Sequence, residues 1–117
     1  MRRIAIVGSR SRTDPENVQA LVASLPADCI VVSGHARGPD LWAEEAAKAR
    51  GLETLIFAPD LAGVRNRGEA SRRYHDRNQL IVDHADEVVA FVAPDRKGGT
   101  EDTIRRAEAK GIPIRLL

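Results

Sequence analysis

Aromatic residues make up 3% of this 117-residue chain: one Trp, one Tyr and two Phe. Proteins that hold single-stranded nucleic acid by base stacking present a row of aromatic rings. Here Phe57 and Phe91 fall in apolar runs and Trp42 in a helical run, which leaves no stacking platform. There is one cysteine, Cys29, so no internal disulfide can form. That agrees with a reducing compartment, and a cytoplasmic protein is expected. Long apolar stretches are missing too: the run Ile4 to Val7 is too short for a signal-peptide core or a membrane span. The net charge is only +1, so no global field draws nucleic acid or anionic lipid. A basic site must be local. The three histidines, His35, His75 and His84, have no metal-ligand spacing. Neither a metal nor a cofactor is expected. His75 and His84 read as surface or helix-end residues, and Cys29 as core.

What is present alternates. Apolar runs at Ile4–Val7, Cys29–Val32, Thr54–Phe57, Glu87–Val92 and Ile114–Leu117 read as strands. Between them lie segments of helical periodicity. Val18, Leu21, Val22 and Leu25 follow Asp14–Pro15, a capping side chain before a proline that needs no N–H. Trp42, Ala46 and Ala49 form a second stripe, closed by Gly51. Tyr74, Asn78, Ile81 and Ala85 form a third helix from about Glu69, and Thr100 to Lys110 a fourth. Strands apolar at nearly every position, separated by helices, imply a parallel sheet covered on both faces. The expected fold is α/β: one Rossmann-like domain over residues 1–117, a doubly wound parallel sheet of about five strands with helices on both faces. The aperiodic segment from Ala58 to Gly68 is expected to close over a site or to meet a second subunit.

In such sheets ligands bind beyond the carboxyl ends of the strands, where strand order reverses. Three loops fall there: "GSRSRTDP" after the first strand, "SGHARGPD" after the second and "APDRKGGTEDT" after the fourth. Each combines glycine with hydroxyl and basic groups, the chemistry that gathers N–H donors and charge on phosphate oxygens. None carries the three-glycine dinucleotide fingerprint or a Walker loop. Arg77 and Asn78 interrupt the apolar stripe of the third helix. A guanidinium there must be paired or face a cleft, where it would clamp phosphate.

Four stretches, "AIVGSRS" at 5–11, "VSGHARGPDLWA" at 32–43, "RNQLIVDHADEVVAF" at 77–91 and "GGTEDTIRRA" at 98–107, resemble the SLOG superfamily. This Rossmann-like group joins DNA-processing protein A with the "lonely guy" nucleotide hydrolases. The likeness is strongest to a small bacterial and phage branch described as a domain of unknown function. The resemblance implies binding of a nucleotide or nucleoside phosphate at the carboxyl edge, and association as a homodimer. Carried over by position, Gly8, Ser9 and Arg10 would lie by the ligand. Ser33, Gly34, Arg37, Gly38 and Asp40 would form a second wall, with His35 a further contact in that loop. Arg77 and Asn78 match the basic pair of the hydrolase branch, and Gly98, Gly99 and Thr100 its phosphate loop. In that branch the loop continues through a third glycine to a catalytic glutamate. Here "KGGTEDT" is shorter and Thr103 holds the glutamate position. Cleaving an N-glycosidic bond requires a carboxylate. Glu101, about half a helical turn from Thr103, and Asp40 are the candidates. Three functions therefore stand: a nucleotide-binding module or sensor, a nucleoside monophosphate phosphoribohydrolase, and single-stranded DNA binding through Arg65, Arg67, Arg72 and Arg73. The scarcity of aromatics disfavours the last.

Overall fold

Hydrophobic alternation decides how the sheet is covered. The computed structural model describes every residue from Met1 to Leu117. In chain order the elements are β1 (Arg3–Gly8), α1 (Pro15–Ser24), β2 (Ile30–Ser33), α2 (Pro39–Arg50), β3 (Glu53–Ile56), α3 (Arg67–Asp83), β4 (Glu87–Phe91), α4 (Gly99–Lys110) and β5 (Ile114–Leu116). All strand pairings are parallel, in the order β3-β2-β1-β4-β5. On β1, Ile4 and Ile6 join a core with Val18, Leu21 and Val22 of α1 and Ala43 and Ala47 of α2. Ala5 and Val7 point the other way, into a core with Ile81 and Val82 of α3 and Ile104 and Ala107 of α4. Alternate side chains of a central strand thus bind both helical layers together. Each isoleucine removed from water contributes roughly 1.5–3 kcal/mol. The Rossmann-like, doubly wound parallel sheet expected from the sequence is the fold observed.

Several boundaries move. β2 and β3 each sit one residue from their sequence-derived spans, and α3 begins at Arg67 rather than near Glu69. The cause of the earlier α3 start is Asn66, whose Oδ1 accepts from the Glu69 N–H at 2.9 Å, while Glu69 Oε2 accepts from the Arg65 N–H at 2.8 Å. This reciprocal capping fixes the helix about two turns before its apolar stripe begins. Asp14 does not cap α1. Its carboxylate is taken by Arg12, whose Nε and Nη2 donate to it at 2.9 and 2.7 Å, and by Asn17. These hydrogen bonds hold the Asp14 carboxyl far below the usual carboxylate range. Arg12 Nη1 also donates to the Val92 and Leu117 carbonyls. Arg12, read from sequence as charge for the ligand edge, instead ties the end of β5 to the first loop. No helix is long and apolar enough to cross a membrane.

Candidate functional site

The strand order reverses at β1. The chain winds outward through β2 and β3 with α1 and α2 on one face. It then returns through α3 to β4 on the far side of β1. The loops after β1 and β4 diverge at this point, and a cleft of about 540 Å³ opens there. Val7 and Gly8 of β1 and Ile81 of α3 contribute to its lining, as do the loop after β1 and the start of α4. Gly8 is required by close approach: a Cβ there would lie 2.5 Å from Pro39 Cγ and 3.0 Å from Phe91 Cβ.

A buried polar chain crosses the cleft from wall to wall. Arg77 of α3 is 8% exposed. Its Nη1 donates to the Gly34 carbonyl in the loop after β2, and its Nε donates to Asn78 Oδ1 at 3.0 Å. Asn78 Nδ2 donates to Asp102 Oδ2 at 3.1 Å, in the first turn of α4. Arg106 Nε donates to the same Asp102 oxygen at 2.8 Å and Arg106 Nη1 to Gln79 Oε1 at 2.9 Å. Burial pushes the Asp102 carboxyl up, but the hydrogen bonds from Arg106 and Asn78 outweigh it and the net shift is downward. The side-chain polar groups buried here all have partners, as buried polar networks must.

Asp40, second residue of α2, is 4% exposed and its Oδ2 accepts from the Gly34 N–H at 3.1 Å. Burial raises its carboxyl from 3.8 to about 6, against the lowering effect of Arg77 and of backbone N–H groups from Gly34, Ala36 and Gly8. Reciprocally, burial lowers the Arg77 guanidinium and Asp40 raises it. A carboxyl at the edge of ionisation thus stands in the cleft wall beside a fixed cation.

The mouth is basic. Arg10 after β1, Arg67 at the start of α3 and Lys97 before α4 all line the cleft, and none forms a salt bridge. Arg10 and Arg77 stand 5.9 and 5.7 Å from the Tyr74 ring centroid. α4 begins without a side-chain cap: Gly98, at φ 107 and ψ −168, precedes it in a conformation open only to glycine. Its first N–H groups have no intrahelical partner and carry the positive end of the helix dipole. Apart from its chain neighbours and its own helical turn, no atom lies within 4 Å of where a Gly99 Cβ would stand.

Of the residues singled out from sequence, Gly8, Ser9, Arg10, Asp40, Arg77, Asn78, Gly98, Gly99 and Thr100 line the cleft together. Gly34 supports it from behind, through the Arg77 and Asp40 hydrogen bonds. Gly38, at φ 92, backs onto Ser9, where a Cβ would lie 3.4 Å from the Ser9 carbonyl oxygen. Ser33 and His35 face elsewhere. Ser33 Oγ donates to Glu44 Oε1 at 2.8 Å, and His35 Nδ1 lies 2.8 Å from Glu44 Oε2. Arg37 is exposed and outside the cleft. Glu101 is held away from it by Arg96, whose Nε and Nη2 each donate to its carboxylate at 2.9 Å. The cleft also contains residues that the loops did not announce. Arg67, Ser71, Tyr74 and His75 line it from the first half of α3. With Asn78 and Ile81 they follow helical spacing, so a polar stripe continuous with the apolar one was the available signal. No group of three or more His, Cys, Asp or Glu side chains is arranged to hold a metal ion.

The fold is shared with DNA processing protein A from Streptococcus pneumoniae. The match has a TM-score of 0.82 at 20% identity and covers 99% of this chain but 50% of that one, so this chain spans half that protein's length. The C-terminal domain of a hydrogenase from Pyrococcus furiosus also matches, with a TM-score of 0.55 at 14% identity, covering 98% of this chain and 90% of that one. These likenesses show the fold. No protein-family model matches the chain, and no curated protein matches its sequence.

Proposed function

We propose that this chain is a nucleotide-binding domain whose cleft takes the phosphate of a nucleoside phosphate, as a binding or sensing module. One observation carries the reading: Arg10, Arg67 and Lys97, from three separate elements, face one cleft with no carboxylate to pair them. Unpaired cations brought together repel one another, and an anion relieves that cost. The uncapped α4 terminus adds N–H donors, and Val7, Ile81 and Tyr74 offer apolar and ring surface to a nucleoside. Thermal unfolding of the purified protein against a panel of nucleotides tests this. Ligand at a hundred times its Kd stabilises by about 2.7 kcal/mol, so Tm rises with the right nucleotide. No rise with any nucleotide at millimolar concentration would reject the proposal.

A second reading, phosphoribohydrolase activity on a nucleoside monophosphate, is favoured by Asp40 alone of the two candidate carboxylates, since Glu101 does not reach the cleft. Water would attack C1′, the C1′–N bond would break, and the base would leave with a proton. A carboxyl held at about 6 is suited to the proton transfer. Base release that disappears in Asp40→Asn supports this reading, and absence of release from all common monophosphates removes it. Single-stranded DNA binding finds one aromatic in the cleft, Tyr74, already engaged by Arg10 and Arg77. We take residues 1–117 as one such domain, cytoplasmic and homodimeric. Sedimentation of the free protein tests the dimer.

A further inference from the structure

We propose that the ligand carries at least two phosphates, a nucleoside diphosphate or longer polyphosphate rather than a monophosphate. This inference rests on the nucleotide-binding reading and narrows it. The cleft lining holds four basic side chains, Arg10, Arg67, Arg77 and Lys97, and one carboxylate, Asp40. With Asp40 ionised and histidine neutral, its net charge is +3, on a chain whose total is +1. The remainder of the molecule is therefore negative, and positive charge is concentrated at this one place.

The inner cation is already used. Arg77 donates to the Gly34 carbonyl and to Asn78 and stands against Asp40. Three uncompensated charges remain toward the mouth. A monophosphate brings at most two negative charges and leaves one cation unanswered. A diphosphate brings three.

The placement of two of these cations strengthens the case. Arg67 is the first residue of α3, and Lys97 stands just before the glycine that opens α4. The N-terminal end of a helix is positive and disfavours cations. Both first turns also carry carboxylates, Glu69 in α3 and Glu101 and Asp102 in α4, but none of these lines the cleft. An unpaired cation at a helix N-terminus is stabilised when an anion binds between them. Arg67 with Ser71 on α3 and Lys97 with Thr100 at α4 line the cleft from separate helices and give two anion positions, the second at an uncapped helix terminus.

Titration calorimetry with phosphate, pyrophosphate, and paired mono- and diphosphates of adenosine, guanosine, cytidine and uridine tests the assignment. Pyrophosphate is expected to bind about tenfold or more tightly than phosphate, and the preferred nucleoside diphosphate to exceed its monophosphate by a similar factor. In Arg67→Ala that ratio falls toward one, and in Lys48→Ala, outside the cleft, it stays. Equal or tighter binding of the monophosphate for every base overturns this inference and leaves the nucleotide-binding reading standing. So does a ratio unchanged in Arg67→Ala. Absence of binding by every nucleotide tested overturns both.

Discussion

Arg77 passes a charged group through the protein interior to donate to the carbonyl of Gly34, 43 residues earlier in the chain. The contact leaves no room for a side chain at position 34. A Cβ there would stand 2.8 Å from Arg77 Nη1, 2.9 Å from Asp40 Oδ2 and 2.9 Å from Ile81 Cδ1. Gly34→Ala is therefore expected to destabilise the fold by about 1–3 kcal/mol. Urea unfolding measures this as a lower midpoint at unchanged slope, and an unaltered midpoint would show that Arg77 is free to move.

Removing the guanidinium separates its two roles. Arg77→Met leaves Asp40 buried without a nearby cation and is expected to cost about 3–5 kcal/mol at neutral pH. Asp40→Asn, which keeps the shape and the hydrogen bond from Gly34, should cost much less. The double variant should recover part of the loss seen in Arg77→Met. A cycle in which the two effects simply add would mean that Asp40 and Arg77 do not interact.

Stability should fall as pH rises from about 4 to about 6. The Asp40 carboxyl ionises at about 6 in the folded protein and near 3.8 when unfolded. Between those values the native state holds the extra proton, so raising the pH favours unfolding, by at most about 3 kcal/mol. Asp14 acts in the opposite sense. Its folded-state carboxyl is depressed by Arg12 and Asn17, so its contribution is present above about 4 and is lost as pH falls further. Denaturation across this range should show the descending arm, and Asp40→Asn should flatten it while leaving the acid loss intact.

Gly99→Ala distinguishes folding from binding. Apart from its chain neighbours and its own helical turn, the added Cβ meets nothing within 4 Å, because the position faces the open cleft. Alanine also favours the helix, by up to about 1 kcal/mol. The variant should be as stable as the parent or more so, yet lose the Tm increment that nucleotide confers, since its methyl group would stand over the α4 N-terminus. Undiminished stabilisation by nucleotide would place the phosphate elsewhere.

The residues divide by how far apart their partners lie. Gly8, Gly98 and Gly99 were readable because a glycine that follows an apolar run reports on its own neighbourhood. Arg77 and Asn78 were conspicuous because polar groups broke a helical stripe. His35 and Arg37 carried the same local signal as their neighbours in "SGHARGPD", yet neither lines the cleft. The Glu44 carboxylate that takes up His35 comes nine residues later, from α2. Glu101 was plausible by distance along the chain, and Arg96 draws it off. Arg12 resembled Arg10 in every local respect, but only Arg12 meets Asp14 and the two carbonyls at the end of the sheet.

Periodicity and the order of apolar runs were enough to determine the doubly wound sheet, because each strand and helix must bury its own hydrophobic residues whatever the rest of the chain does. They also pointed to the edge at which the cleft opens. Which basic side chains reach that edge was decided by the tertiary structure. A long charged side chain goes to whichever carboxylate or carbonyl folding brings within reach, and those partners come from distant segments. Arg10, Arg67 and Lys97 remain at the cleft because folding brings no carboxylate close enough to pair with them.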